Sequence, residues 1–204
     1  MTNNQTRHSL GEFSLGALCN AHPDIHALHS SITSLFKGAR ICGPAKTAKI
    51  SKGQNAAIHR AVHTAAPGDV LVISAGGDTS FGPFGDILAT CCQKKGVQGL
   101  VIDSTVRDVA DILTLEFPVF CLGANPTATN KTDPGSIDLE INCGGICVRP
   151  GDIIVGDDDG VVVVPRDIAG DIAALAHAVI EKEKLILSRV ADGQTTCEIF
   201  EITP

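Results

Sequence analysis

The residues best placed to do chemistry are one aspartate and an arginine-aspartate pair. Asp86 closes a stretch in which five glycines or prolines fall within ten residues, and twenty residues separate it from Arg107, which is followed by Asp108. Glycines at a strand-to-helix junction let the backbone approach a ligand. The N–H groups of Ile87 and Leu88, at the predicted start of a helix, can hold a carboxylate. The spacing therefore predicts a candidate anion-binding and catalytic site.

Two short apolar segments must position these residues. Residues 70–74 and 100–103 are rich in β-branched side chains, and each is followed by small and polar residues and then by a helical pattern. This order is typical of successive parallel βα units. Open α/β sheets bind ligands at the carboxyl ends of their strands. We therefore expect Asp86 and the Arg107-Asp108 pair at the same end of neighbouring strands.

Each part of the candidate site also has a purely structural explanation. Asp108 lies three residues after Thr105, which is the spacing of a capping pair at a helix start. Asp86 falls in a predicted first helical turn, where a carboxylate suits the helix dipole. A second Arg-Asp dipeptide, Arg166 and Asp167, begins the last predicted helix. The spacing alone leaves the catalytic and structural explanations of Arg107 and Asp108 open.

Composition indicates one α/β domain and excludes several classes of protein. The chain has 204 residues, a net charge of −7, no Trp or Tyr and only seven Phe, which argues against a nucleic-acid partner. No apolar stretch approaches the ~18 residues of a membrane span, and the first eight residues lack the apolar region of a signal peptide. We expect a cytoplasmic protein without a membrane partner, whose eight cysteines are reduced.

The N-terminal third is predicted to hold an arm, two helices and a strand. Residues 1–37 form an arm and a helix that begins at Pro23 and continues through Leu28. A strand lies between residues 38 and 50, and Pro44 predicts an edge position or a bulge there. Apolar residues at helical spacing predict a helix over 55–66.

Two groups of histidines are candidate metal ligands. His22, His26 and His29, with Cys19 nearby, can gather around zinc, although surface or capping histidines on a short helix are favoured because no second ligand pair follows. His59 and His63 lie four residues apart without a third ligand, so they are predicted to be exposed or at the edge of the core.

Beyond the candidate site, the pattern predicts a loop over 123–136, a strand-like stretch over 137–148 broken by two glycines, and a hairpin turn over 157–160. A long helix begins at Pro165. The tail, residues 188–204, is mixed in character and can pack against another subunit.

These segments together resemble a known family, the aldolases that cleave 4-hydroxy-4-methyl-2-oxoglutarate and their relatives, including the regulator of ribonuclease activity A. The specific part is an Asp, twenty residues and an Arg-Asp pair, which Asp86, Arg107 and Asp108 meet. The resemblance covers residues 38–187, the predicted aldolase-like domain. The matching segments are residues 43–45, 67–72, 85–90, 101–103, 106–109, 117–120, 144–145, 148–152 and 155–165.

The resemblance implies a single-domain α/β fold, a layered αββα sandwich, assembled as a homotrimer or homohexamer with sites between subunits. It implies that Asp108 binds Mg²⁺, Mn²⁺ or another divalent metal, and that Arg107 binds a 2-oxo acid. The turn formed by Gly85, Asp86, Ile87 and Leu88 would bind the same substrate, and Asp86 would position water or assist proton transfer.

Two segments depart from the family pattern. Ser104 and Thr105 stand where relatives often have Gly and a small apolar residue, and the usual N-terminal Ser-Asp-Ala-Leu motif is replaced by residues 23–28. The first departure bears on the substrate pocket, and the second on any contact that residues 1–37 would make.

Three functions follow as hypotheses. The first is a metal-dependent aldolase or oxaloacetate decarboxylase that works through pyruvate enolate, since no lysine lies near the motif to form a Schiff base. The second is a protein-binding regulator of a ribonuclease on the same fold. The third, a methyltransferase suggested by the glycine-rich loop, is disfavoured because the pattern lacks an acidic residue at the end of a following strand that would hold a ribose.

Overall fold

The computed structural model describes residues 10–203. Short helices and strands alternate along the chain before one long helix near the C-terminus. The helices are α1 (Leu15–Ala21), α2 (Ala56–Thr64), α3 (Asp86–Lys94), α4 (Val109–Thr114), α5 (Ala169–Ala191) and α6 (Thr196–Ile199). The strands are β1 (His26–Ala27), β2 (Thr33–Ser34), β3 (Ile41–Lys49), β4 (Val70–Ser74), β5 (Gly99–Ile102), β6 (Val119–Cys121), β7 (Ser136–Ile137), β8 (Ile141–Cys143), β9 (Ile146–Val148), β10 (Ile153–Asp157) and β11 (Gly160–Val164).

Most strands join one sheet in the order β1-β11-β10-β3-β4-β5-β6-β2, with β7 beside the end of β3. Strands β3, β4, β5 and β6 run parallel to one another, which confirms the predicted βα units. Strands β10 and β11 are antiparallel and meet at the predicted tight turn, where Asp157 faces Gly160. Strands β8 and β9 form a separate hairpin across the predicted glycine break.

Strand β3 connects the two halves of this sheet. Its first part, residues 41–44, pairs with β10, and its second part, residues 45–49, pairs with β4. The predicted edge position is therefore wrong for β3 as a whole. At Pro44 itself the pairing with β4 has not yet begun, so the strand has a single neighbour there and the missing N–H is tolerated.

The sheet curls so that its two halves pack face to face. The inner core includes Val72 and Val101 from the parallel half and Ile154 and Val163 from the antiparallel half. These side chains are at most 3% exposed, and burying a Val or Ile side chain stabilises a fold by roughly 1.5–3 kcal/mol. The inner core therefore joins the halves as two stacked layers.

Helices cover both outer faces of the curled sheet. On the parallel half, α2, α3 and α4 pack Ile58, Leu88 and Ile112 into one cluster. On the antiparallel half, α1 and α5 contribute Leu18 and Ile172 to another. The order helix, sheet, sheet, helix confirms the predicted single-domain αββα sandwich.

The N-terminal helix lies earlier than predicted. Helix α1 begins after Ser14, whose hydroxyl accepts a hydrogen bond from the Ala17 N–H at 3.3 Å, and it ends before Pro23. A residue that precedes proline is disfavoured in helical conformation, and His22 is extended. His26 instead belongs to β1, which pairs with β11. The prediction of a helix over residues 23–28 is therefore wrong.

The last long helix also begins later than predicted, at Ala169 rather than Pro165. The buried Asp152 carboxylate accepts the Arg166 N–H at 3.1 Å, and the Ile168 N–H bonds the Pro165 carbonyl at 3.1 Å. These two bonds hold residues 165–168 as a turn, and the helix then continues across residue 187. Among the described residues, none of the helices combines the length and apolar character needed to cross a bilayer.

All eight cysteines are free thiols in the structure, as the composition predicts. Cys92, Cys121 and Cys143 are buried among apolar side chains. Burial raises the pKa of the Cys92 thiol to about 12, so it packs as a small neutral hydrophobe.

Candidate active site

The two parts of the predicted site meet at the carboxyl edge of the parallel strands. Strand β4 leads into a loop, residues 75–85, and then into α3, which begins with Asp86. Strand β5 leads through residues 103–108 into α4. The Arg107 N–H donates to the Phe84 carbonyl at 2.9 Å. The structure thus confirms that Asp86 and the Arg-Asp pair lie at the same end of neighbouring strands.

Gly85 packs directly against the Arg107-Asp108 pair. A β-carbon at Gly85 would collide with Oδ2 of Asp108, and it would lie 3.0 Å from Cγ and 3.1 Å from Nε of Arg107. The backbone of Gly85 is extended, with φ −146° and ψ −168°, which any residue can adopt. Glycine is therefore required here for space rather than for backbone torsion.

Arg107 and Asp108 form a partly exposed ion pair. Nε of Arg107 donates to Oδ2 of Asp108 at 3.2 Å, and the two side chains are 34% and 35% exposed. Pairs this accessible contribute only ~0–1 kcal/mol to stability. Stability alone is a weak reason for placing the two charges together at this edge of the sheet.

The capping explanation for Asp108 is wrong. Asp108 occupies the N-cap position of α4, but its side chain makes no capping hydrogen bond, and its backbone is left-handed with φ 55° and ψ 41°. The Thr105 hydroxyl donates elsewhere, to the Phe81 carbonyl at 2.7 Å. A left-handed non-glycine residue costs of order 1–3 kcal/mol, and such residues cluster at functional sites.

Asp86 keeps its structural explanation. It is the first residue of α3, where its carboxylate suits the helix dipole. Its half-buried side chain makes no hydrogen bond or ion pair with residues 10–203, so it is also available to a ligand. The next two residues differ in exposure, because Ile87 is 65% exposed while Leu88 is buried. Their N–H groups lie in the first turn, where a helix offers no internal acceptor.

Two hydroxyl groups hold the loop that leads to Gly85. The Ser104 hydroxyl donates to the Asp78 carbonyl at 2.5 Å, and the Thr105 hydroxyl donates to the Phe81 carbonyl. Ser104 and Thr105 are 2% and 5% exposed. The sequence marks both positions as departures from the family pattern, and the structure shows that their hydroxyls fasten the loop to the end of β5.

Asn55 is a further residue of this region that sequence reasoning missed. It precedes α2, and its amide donates to the Pro83 carbonyl at 3.0 Å, two residues before Gly85. Its Oδ1 atom is buried and has no partner among residues 10–203. Its position before a helix was a visible signal, but a capping role would have been the natural interpretation.

The prediction that no acidic residue ends a following strand is wrong, because Asp103 occupies that position. It comes directly after β5 and is 7% exposed, and its carboxylate accepts the Ala75 N–H at 2.5 Å. Burial raises the pKa of Asp103 to about 6, and N–H bonds from Ala75, Gly144 and Gly76 oppose that rise. The sequence signal that could have identified Asp103 was an acidic residue directly after an apolar strand, at the carboxyl end of that strand.

The site fits a metal that is bound by few protein ligands. Among residues 10–203, no three His, Cys, Asp or Glu side chains lie close enough to form a protein cage, and this includes His22, His26 and His29. Asp108 nevertheless presents a partly exposed carboxylate next to Gly85, whose lack of a side chain leaves that oxygen room. Mg²⁺ is commonly held by one or two carboxylates together with water and substrate oxygens, so this donor set suits it.

Comparison with known proteins gives a match over most of the fold. The model of the RraA-like family, described as Aldolase/RraA, matches residues 16–163. A proposed 4-hydroxy-4-methyl-2-oxoglutarate aldolase of Halalkalibacterium halodurans is 42% identical over 139 residues. That match covers 68% of this chain and 66% of the relative, so the chain spans just under two thirds of the relative's length.

Solved structures of similar fold carry different functional names. Streptomyces coelicolor RraAS2, described as an unusual member of the RNase ES inhibitor RraA family, has a TM-score of 0.83 and 30% identity, covering 93% of this chain and 100% of that one. A protein of Geobacillus kaustophilus, described as an S-adenosylmethionine:2-dimethylmenaquinone methyltransferase, has a TM-score of 0.71 and 28% identity, covering 76% and 96%. These names divide among the three hypotheses.

Proposed function

Because the chain belongs to the RraA-like family, we propose that it is a divalent-metal-dependent aldolase or decarboxylase acting on 2-oxo acids. One observation carries the proposal: Gly85 packs without a side chain against the paired Arg107 and Asp108. A guanidinium, a carboxylate and the free N–H groups of a helix start are thereby brought next to one another. Binding a partner protein gives no chemical reason for that combination.

Each group has a distinct role in the proposed reaction. The N–H groups of Ile87 and Leu88 bind the carboxylate of the 2-oxo acid. Arg107 places fixed positive charge at the oxygen that becomes an enolate, and one such donor contributes about 3 kcal/mol to the transition state. Retro-aldol cleavage and oxaloacetate decarboxylation both produce pyruvate enolate, so the same groups serve both reactions.

Asp108 would hold Mg²⁺ or Mn²⁺, and a bound ion acts as a Lewis acid that withdraws charge from the reacting carbonyl. Asp86 would take the proton of the substrate hydroxyl in the retro-aldol direction, directly or through a water that it orients. Its lack of a partner among residues 10–203 leaves its oxygens free for that task.

The proposed assembly is a homotrimer or homohexamer. The end of α5 and the tail expose Leu185, Leu187, Phe200 and Ile202, each at least 53% accessible. Leu187 and Phe200 also line a groove of about 620 Å³. Exposed apolar side chains that cluster beside a groove mark interaction surfaces, and another subunit is the occupant proposed for this one.

Two other functions have weaker support. A ribonuclease regulator is suggested by the description of RraAS2, but it leaves the Arg107-Asp108 pair without a task. A methyltransferase would need a free acid to hold a ribose, whereas the Asp103 carboxylate already accepts backbone N–H groups from the turn at Ala75. Absence of S-adenosylmethionine binding to the purified protein would remove that candidate.

The decisive experiment measures pyruvate release from oxaloacetate and from 4-hydroxy-4-methyl-2-oxoglutarate, with Mg²⁺ and with EDTA. We expect metal-dependent turnover that Arg107→Ala lowers by at least ~100-fold, in line with the loss of one charge-stabilising donor. The matched control is Arg166→Ala, because Arg166 also pairs with the aspartate that follows it, at 3.6 Å. That variant should keep full activity.

The opposite outcome is equally informative. If the folded, metal-supplied protein released no pyruvate from either compound, the enzyme proposal would fail. Ribonuclease activity measured with and without added protein would then test the regulator directly. If Arg107→Ala and Arg166→Ala lost activity equally, the role assigned to Arg107 would be wrong.

A further inference from the structure

A second cavity lies at the same edge of the sheet but on the opposite face. Side chains alternate between faces along a strand, so Ser74 and Asp103 continue the inner-facing positions of Val72 and Val101. Ser74, Asp103 and Lys49 line a cavity of about 510 Å³. This volume falls within the ~300–1,000 Å³ range of small-molecule pockets.

This cavity is separate from the site around Arg107. The alternate residues Ile73 and Ile102 face the other way, into the outer cluster beneath α3 and α4. The loop 75–85 runs between the two faces, because Gly76 and Gly77 at its start line the cavity, while Gly85 at its end touches Arg107. The two sites therefore share the loop 75–85, but none of the side chains named for one site lines the other.

The opposite wall comes from the chain before β2 and from the β8-β9 hairpin. His29, Asn142, Gly144 and Gly145 line this wall. The His29 N–H donates to the Gly144 carbonyl at 2.9 Å, which fastens the two segments to each other. Both walls are thus held by hydrogen bonds and strand pairing, and the cavity is preformed.

Lys49 supplies an available positive charge. It is the last residue of β3 and is exposed, and its ammonium makes no hydrogen bond or ion pair with residues 10–203. The carboxylate of Asp103 accepts N–H groups of the turns at Ala75, Gly76 and Gly144 instead of pairing with Lys49. The charges that face the cavity therefore do not neutralise each other.

The imidazole ring of His29 adds a second nitrogen-bearing side chain to the same cavity. Its Nδ1 accepts the Ser31 N–H at 3.2 Å and lies 2.8 Å from the Ser31 hydroxyl. Its Nε2 makes no hydrogen bond with residues 10–203 and is therefore available to a ligand. Among the described side chains that line the cavity, the Lys49 ammonium, Nε2 of His29 and the Asn142 amide are unoccupied, and together they suit an anion. A phosphate dianion carries both of its charges on one group, so it would meet stronger repulsion from Asp103 than a single carboxylate group does.

We propose that this cavity is a second binding site, specific for a small carboxylate held by Lys49 and His29. The proposal does not depend on the aldolase activity, because none of its residues belongs to the site around Arg107. The ligand's hydrocarbon part would lie against Leu122, which lines the cavity and continues the inner face after β6.

Succinate is a suitable probe because it lacks the 2-oxo group that the Arg107 site is proposed to bind. Its binding would be measured by calorimetry at low ionic strength for wild type, Lys49→Met and Lys49→Arg. We expect wild type to bind, Lys49→Met to bind at least tenfold more weakly and Lys49→Arg to retain most of the affinity. The matched control is Lys184→Met, which removes the same charge from an exposed pair on α5 and should bind like wild type.

The location of binding needs its own readout. In amide NMR spectra, succinate should shift the signals of Gly76, Gly77 and Gly145 and leave that of Gly85 in place. Arg107→Ala should not change the affinity. No binding by wild type at millimolar succinate, equal binding by Lys49→Met, or shifts at Gly85 alone would each overturn the proposal.

Discussion

The hydroxyl of Thr105 offers a sharp test of how the loop before Gly85 is held. Thr105→Val keeps the shape of the side chain and removes the hydrogen bond to the Phe81 carbonyl, which measures 2.7 Å. Loss of one partner from a buried hydrogen bond costs roughly 1–3 kcal/mol. We therefore expect the free energy of unfolding to fall by about that amount.

Thr47→Val is the matched control. Thr47 is fully buried and its hydroxyl donates to the Leu139 carbonyl, also at 2.7 Å. Thr47→Val loses the same kind of hydrogen bond as Thr105→Val, so urea unfolding should show a similar loss of stability for both variants. Only Thr105 contacts the loop that leads to Gly85, and only its variant should change the site.

The effect on the site follows from the same free energy. If 1–2 kcal/mol of loop anchoring is lost, the displaced loop gains population by a factor of roughly 5–30. The apparent affinity for a 2-oxo acid falls with the fraction of molecules in the competent arrangement. We expect a higher KM for oxaloacetate in Thr105→Val and unchanged kinetics in Thr47→Val. In Thr105→Ser, which keeps the hydroxyl, the KM should stay close to that of wild type.

A second measurement keeps this test independent of the proposed function. Amide hydrogen exchange over residues 78–86 should become faster in Thr105→Val and stay at the wild-type rate in Thr47→Val. Equal effects of the two valine variants on the loop would refute the idea that Thr105 fastens it. So would unchanged exchange in Thr105→Val despite a measured loss of stability.

Three further substitutions test other parts of the argument. Gly85→Ala should lower oxaloacetate turnover at least ~100-fold, because the added β-carbon would collide with Asp108. Its Tm should change little, because alanine tolerates the extended backbone at this position. The control is Gly170→Ala on α5, where nothing lies within 4 Å of the added carbon, and it should stabilise the fold by up to ~1 kcal/mol. Because burial raises the pKa of Asp103 from 3.8 to about 6, the folded state keeps a proton that the unfolded chain has lost, and the contribution of Asp103 to stability falls as pH rises through that window. The stability of Asp103→Asn relative to wild type should therefore improve between pH 4 and pH 7 in urea unfolding, and a difference that did not vary with pH would contradict the pKa. Phe200→Ser should reduce the mass measured by light scattering if the apolar tail joins subunits, and an unchanged mass would remove Phe200 from the interface.

The sequence predicts the layered fold well where the signal is local. Residues 70–74 and 100–102 are runs of apolar, mostly β-branched side chains between turn-forming residues, and both form parallel strands with every residue buried. The stripe of α2, including Ile58 and Val62, is buried as its spacing indicates. These elements follow from the side-chain period alone.

The errors arise where pairing over long distances decides the outcome. Pro44 predicts an edge position or a bulge, but β3 pairs first with β10 and then with β4 along its length. His26 lies in a short segment that the sequence predicts as helix, but it pairs with β11 as part of strand β1. The residue pattern of one segment does not show which distant strand will pair with it. The conformation of a short segment depends on that partner.

The candidate site shows the same limit at the level of single side chains. Arg166 and Asp167 repeat the dipeptide of Arg107 and Asp108, and both pairs precede helices, so spacing does not separate them. In the structure, the later pair is 61% and 77% exposed with its atoms 3.6 Å apart, whereas the earlier pair is about half as exposed. Asp108 alone of the two aspartates has a left-handed backbone, and its Oδ2 occupies space that a side chain at Gly85 would fill. The difference between a surface pair and a candidate site therefore lies in contacts with a glycine more than twenty residues away, and only the folded chain brings that glycine into place.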